Sequence, residues 1–140
     1  MNISNTEIFI AVVVIFIGLY IIQYFIPFHL WYTAKASGVR ISILDLIFIR
    51  FRKIPPILIV YALIASEKGG FSFDKDELQA HHLAGGNIEN LTNGMIYAND
   101  NGIKLSFREA SKLDLAGKDI KKEIQIKLER KTKRNLALNQ

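Results

Sequence analysis

The sequence predicts a mainly α protein: an N-terminal transmembrane helix, then interfacial amphipathic helices, then a small module of two repeated αα-hairpins. Three observations predict it. One apolar run near the start is long enough to cross a bilayer. Two shorter apolar pieces follow, with basic residues between them. Beyond these the chain repeats itself at a shift of 32 residues, with helix caps and glycines in phase.

The 140 residues leave room for one ordinary domain, or less once a membrane segment is subtracted. Half of them are hydrophobic and 22% are charged. The mean hydropathy of +0.19 reflects a greasy first half and a polar second half. The chain divides into a membrane anchor (1–32), a juxtamembrane segment (33–68), a helical module (69–134) and a disordered tail (135–140). With no cysteine, disulfides, thiolate metal sites and thiol nucleophiles are excluded. The net charge is +5 and the pI about 9.5. A basic chain attached to a membrane faces anionic lipid more often than nucleic acid.

Residues 8–26 read IFIAVVVIFIGLYIIQYFI, interrupted only by Gly18 and Gln23. At ~1.5 Å per residue this run spans roughly 28 Å, the thickness of the hydrocarbon core. Ile8, Val13, Ile17, Ile21, Phe25 and Trp31 are the expected membrane-inserting residues. A signal peptide needs a basic leader and a small-residue cleavage site, and neither is present. Tyr24, Trp31 and Tyr32 stand where an aromatic belt belongs. Lys35, Arg40, Arg50, Arg52 and Lys53 follow, and they are the expected lipid-headgroup contacts. Their position places the carboxyl side in the cytoplasm. A hairpin bent at Pro27 is the competing geometry.

Residues 41–51 and 55–66 are apolar but only 11 or 12 residues long, roughly 18 Å as helices and too short to span. Pro56 suits the first turn of a helix, and Ile54 before the proline pair is extended. These pieces lie in the membrane interface, or they pack on the rest of the chain as its core; the first is expected.

The repeat lays residues 70–88 over 102–120. Identities are Gly70/Gly102, Glu77/Glu109, Leu83/Leu115, Ala84/Ala116, Gly85/Gly117 and Ile88/Ile120. Asp74 and Ser106 are N-cap types, with Glu three residues on to complete a capping box. Gly85 and Gly117 suit helix C-termini, and Asn87 and Asp119 cap the next helices. The expected helices are 75–84, 88–99, 107–116 and 120–134, the last fraying after about Lys131. Leu78, Leu83, Ile88, Leu91, Met95, Ile96, Leu105, Phe107, Leu113 and Leu115 form a thin core. So few apolar residues leave the module marginal unless it packs on the membrane-side segments or on another chain.

The chemistry-bearing residues carry bland readings. His81 and His82 are adjacent, about 100° apart on a helix, and cannot easily share one ion; no metal site is expected. The alignment puts His81 inward and His82, with its counterpart Asp114, outward. LAGGN (83–87) lacks a phosphate-loop frame, so no nucleotide or other cofactor is expected. Asp74, Asp76 and Glu77 suit a helix start. Ser106 and Ser111 have no nearby histidine partner and nothing resembles a triad or an acid–base pair, so no catalytic residue is expected. Residues 118–134 carry eight basic and three acidic residues, without interleaved aromatics, which reads as a solvated helix face and not a nucleic-acid site.

Several stretches resemble the bacterial flotillin-like protein A family. They are Ser37-Gly38-Val39-Arg40; Arg50-Phe51-Arg52-Lys53-Ile54-Pro55-Pro56 with Ile59-Val60; and Leu78-Gln79-Ala80-His81-His82-Leu83-Ala84-Gly85-Gly86-Asn87. Leu105-Ser106-Phe107-Arg108-Glu109-Ala110 and Asp114-Leu115-Ala116-Gly117-Lys118-Asp119-Ile120 complete the series, which covers about residues 27–120. Gln79 and His82 depart from it, standing where Glu and Tyr are expected.

The resemblance implies a membrane-anchored scaffold that oligomerises and gathers lipids and proteins into membrane microdomains, with no catalytic or metal residues. Its partners would be the anionic inner leaflet and further copies or other membrane proteins, without nucleic acid or a small-molecule substrate. The family continues past Asp-Leu-Ala-Gly into a β-rich, band-7-like domain and a coiled-coil-type C-terminus, whereas this chain ends about twenty residues later. A small membrane regulator or resistance factor binding one partner, and a truncated product lacking that domain, are the alternatives.

Overall fold

The computed structural model describes residues 4–25 and 27–138, and among these it is all-helical. In these described residues eight helices follow one another: α1 (Asn5–Phe25), α2 (Phe28–Ala36), α3 (Ile43–Phe51), α4 (Pro56–Lys68), α5 (Lys75–Leu83), α6 (Ile88–Asp100), α7 (Phe107–Leu115) and α8 (Ile120–Leu138). Local chemistry sets most boundaries. Ser4 and Glu7 exchange hydrogen bonds at the head of α1. Ser42 and Asp45 form a capping box on α3, and Pro56 opens α4. Asp74 accepts the N–H groups of Asp76 and Glu77, and Asn87 those of Glu89 and Asn90.

The two expected capping boxes differ. In α7 the Ser106 hydroxyl donates to Glu109, whose backbone N–H it caps, and the Glu109 carboxylate also takes the Ser106 N–H. In α5 the Asp74 carboxylate caps alone, and Glu77 does not reach back. An aspartate cap puts a second carboxylate beside the glutamate, where like charges repel, whereas the neutral Ser106 hydroxyl donates to Glu109.

The helix ends share one device. Gly38, Gly70, Gly85, Gly102 and Gly117 each take a left-handed conformation one residue past a C-cap. The next residue's N–H then closes back on the helix, as Gly86 N–H does on the His81 carbonyl at 2.9 Å. Among the described residues only α3 ends this way without glycine: Lys53 has φ +60, and Ile54 N–H closes on the Ile49 carbonyl. A side chain in that conformation costs about 1 kcal/mol.

α4 and α6 form the spine of the molecule. α4 packs on α2, α3, α5 and α6, while α6 packs on α4, α5, α7 and α8. One continuous core runs from Leu30 through Leu46, Ile49, Ile59, Val60, Leu78 and Leu91 to Ile120 and Ile124. It crosses residues 68 and 69 without a break. The juxtamembrane segment therefore supplies much of the core, and only its remaining faces are exposed. On α3, Leu44, Phe48 and Phe51 are more than 60% exposed; their spacing of four and three makes one stripe. The module's own apolar residues divide: Leu78, Ile88 and Leu91 are buried, but Leu83 and Leu115 are largely exposed. These two equivalent leucines sit in the last turns before the glycines, where the helix face has rotated past the core.

α8 continues to Leu138, past the fraying expected after Lys131. Arg, Lys, Leu and Ala there are good helix formers, and no glycine or proline interrupts them.

Candidate functional site: the anchor, its foot and a buried polar network

α1 is apolar on all sides and solvent-exposed along its length. Its best 18-residue window has a mean hydropathy of 2.6, with none of that window buried in the protein. At ~1.5 Å per residue α1 is roughly 31 Å long. A helix that is apolar all round needs a hydrocarbon or protein environment. Ile8, Val13, Ile17 and Ile21 are exposed on it, and the side chain of Phe25 lies outside the described residues. Trp31 lies elsewhere, half-buried on α2 against the core.

The five basic residues expected at headgroups are not in one place. Arg50 stacks on the Tyr24 ring, its guanidinium carbon 4.1 Å from the ring centre. Arg50 and Lys53 line a hollow of about 550 Å³ at the foot of α1, with Tyr24, Pro27, His29 and Pro55 among its other walls. Arg52 donates to the buried Gln79 at 2.9 Å. Lys35 lies over the Trp31 ring at 4.9 Å. Arg40 lines a different hollow, beside Glu67 and Asp74.

His81 is buried, with Nδ1 2.7 Å from Ser111 Oγ and Nε2 2.8 Å from Asp114 Oδ2. Two expectations are thereby corrected. Ser111 does have a histidine partner, and Asp114 is buried, not outward-facing. The contacts join residues 30 and 33 positions apart, so no local pattern carried them.

The trio contains the residue types of a hydrolytic triad, and its surroundings decide what it can do. Asp114 Oδ2 also accepts the Asn87 N–H at 2.6 Å, and Oδ1 accepts from the Asn90 side chain. Asn90 donates further to the Lys118 carbonyl at 2.9 Å and accepts the Ile120 N–H at 3.3 Å. The carboxylate can only accept, so His81 Nε2–H donates to it and Nδ1 is left to the Ser111 hydroxyl. The His81 side chain has no exposure. The network braces α5 and α7 and joins them to the starts of α6 and α8. His82, one residue on, is half-exposed. Among the described residues no cluster of His, Asp and Glu could hold a metal ion. The hollow of about 700 Å³ between the lead-ins to α5 and α7 is lined by Phe71, Met95, Leu105 and Phe107 among others, and by none of the trio.

Fold and site together define an all-helical protein with one exposed apolar N-terminal helix of membrane-crossing length, joined to a compact bundle through a basic foot. The chain belongs to the flotillin-like FloA family, described as "Flotillin-like protein FloA", whose profile matches residues 8–135. It is 42% identical over 114 residues to the flotillin-like protein FloA of Phocaeicola vulgatus, covering 81% of this chain and 34% of that protein. It is 39% identical to that of Bacteroides thetaiotaomicron, covering 87% and 38%, and 41% identical to that of Dictyoglomus turgidum, covering 90% and 38%. The chain spans about a third of the length of these relatives. No solved structure matches it.

Proposed function

We propose that the chain is a membrane-anchored, flotillin-like scaffold or adaptor without catalytic activity. α1 inserts into the bilayer, and the bundle of α2 to α8 presents itself to partners on the cytoplasmic side, in membrane microdomains. The observation that carries the reading is the exposed, all-round apolar surface of α1 in a chain of this family. Leaving that surface in water costs about 1.5–3 kcal/mol for each large side chain that lipid would cover.

Two further features support it. The α3 stripe of Leu44, Phe48 and Phe51 is largely exposed, and it ends among Arg50, Arg52 and Lys53. A stripe flanked by cations suits the boundary between acyl chains and anionic headgroups. The positive-inside preference orients the bundle toward the cytoplasm.

The test is membrane fractionation, then extraction in mild detergent and sizing. Large homo-oligomers in a slowly extracted fraction are expected. A small stoichiometric complex with one other protein would replace the scaffold by a regulator. A chain recovered in the soluble fraction without detergent would overturn the membrane reading itself.

A further inference from the structure

We propose that the hollow at the foot of α1 binds one anionic phospholipid, the phosphodiester held by Arg50 and Lys53. This deepens the membrane reading and rests on α1 being the inserted helix. A spread of surface charge and a built site make different demands, and three observations favour the site.

The hollow is one-signed. Among the described residues Arg50 and Lys53 are its charged walls, and no acidic residue lines it. Of the other basic residues near the membrane end, Arg40 faces a hollow that also holds Glu67 and Asp74, and Arg52 donates to Gln79.

Its walls suit a lipid better than a soluble anion. Pro27, Pro55 and Pro56 line it together with Ile54 and Ile57. Prolines have no N–H, so they offer an anion no backbone donors, and recognition falls to the side chains. The apolar wall adjoins Tyr24 near the end of α1, at the level where headgroups meet hydrocarbon if α1 spans. A phosphate there brings its acyl chains along α1.

Lys53 is kept where glycine is cheaper. Five other helix ends use glycine for the left-handed residue, and α3 uses lysine at φ +60. Strain retained beside a charged hollow points to a use for the side chain that repays it. The same backbone turn aims the lysine from a fixed point of the chain instead of from a mobile loop.

The experiment uses the full chain in nanodiscs of phosphatidylcholine mixed with phosphatidylglycerol, with native mass spectrometry counting retained lipid and melting measured in parallel. The parent is expected to retain one phosphatidylglycerol. Arg50→Gln and Lys53→Gly should each weaken retention about tenfold, because each removes one charge-assisted hydrogen bond to the phosphate. Lys35→Gln and Arg40→Gln should leave it unchanged. Lys53→Gly should also raise Tm by roughly 2–4 °C by relieving the backbone, so its weaker lipid retention cannot be a failure to fold. Equal weakening by all four substitutions would overturn the site and leave diffuse headgroup attraction standing. No preference for phosphatidylglycerol by any of the proteins would overturn the headgroup reading as well. Displacement by free glycerol phosphate would show a soluble-phosphate site and also overturn the proposal.

Discussion

Gly85 and Gly86 are neighbours with different reasons to be glycine. Gly85 has φ +88, the left-handed residue that ends α5, and that requirement is readable from its place after Leu83-Ala84. Gly86 has ordinary backbone, but a Cβ on it would lie 2.2 Å from His81 Nε2. That requirement comes from a side chain, and nothing in the local pattern reveals it. Gly85→Ala is expected to cost about 1 kcal/mol. Gly86→Ala should cost about 2–3 kcal/mol, because it pushes His81 off Asp114; denaturant melts of the two variants measure the difference. The bracing role of the network makes a second prediction. Asp114→Ala strands His81, the Asn87 N–H and Asn90, and should cost about 3 kcal/mol. Ser111→Ala, at the half-exposed edge, should cost under about 1 kcal/mol. The reverse order would mean that the histidine is held by the serine.

At the scale of elements, starts and stops follow from neighbours in the chain, whereas contacts between elements do not. Capping residues at 74, 87, 106 and 119 place the starts of α5 to α8, and glycines at 85 and 117 place the ends of α5 and α7, within a residue or two. The approach of α6 to α8 depends on Gly94, whose added Cβ would fall 2.4 Å from the Ile120 side chain. Gly94→Ala gains helix propensity but should still lose about 2 kcal/mol through overpacking, visible as a lower melting midpoint.

α3 and α5 are tied by Asp45 and Lys75. Burial pushes the Asp45 carboxyl up. Hydrogen bonds from Lys75 and the Ser42 N–H, with the charge of Lys75, outweigh it and hold the pKa below the usual 3.8. The hydrogen bond to Asp45 raises Lys75 above 10.5, against its desolvation. The aspartate's contribution is therefore present above pH 3.8 and lost as the pH falls through its lowered folded value. The lysine's is present below pH 10.5 and lost as the pH rises through its raised one. Asp45→Asn should melt lower than the parent by about 0.5–1 kcal/mol at neutral pH, the pair being partly exposed and salt-screened. The gap should close on acidification below the usual carboxylate range.

Across the whole molecule, the anchor is legible in the sequence and the body only partly so. The apolar run of α1 is a property of consecutive residues. The juxtamembrane helices are expected on the membrane surface, and their apolar stripe is exposed, but Leu46, Ile49, Ile59 and Val60 turn inward to build the core. The thin module is expected to need partners for its apolar face, and α4 packs on α5 and α6. A fragment of residues 69–140 is accordingly expected to show helical circular dichroism without a cooperative melt, because α4 is missing from its core. A sharp melt like that of the bundle would refute the dependence on α4.

The sequence by itself determined the helical class, the anchor, the helix ends and the family resemblance. Each depends on residues within a turn or two of one another, or on the order of motifs along the chain. Tertiary structure alone decided that His81, Ser111 and Asp114 meet, that Gly86 and Gly94 must stay small, and that two of five basic residues share the hollow beneath α1. Such contacts join residues that are far apart in the chain. They follow from how the helices cross, which local periodicity does not encode.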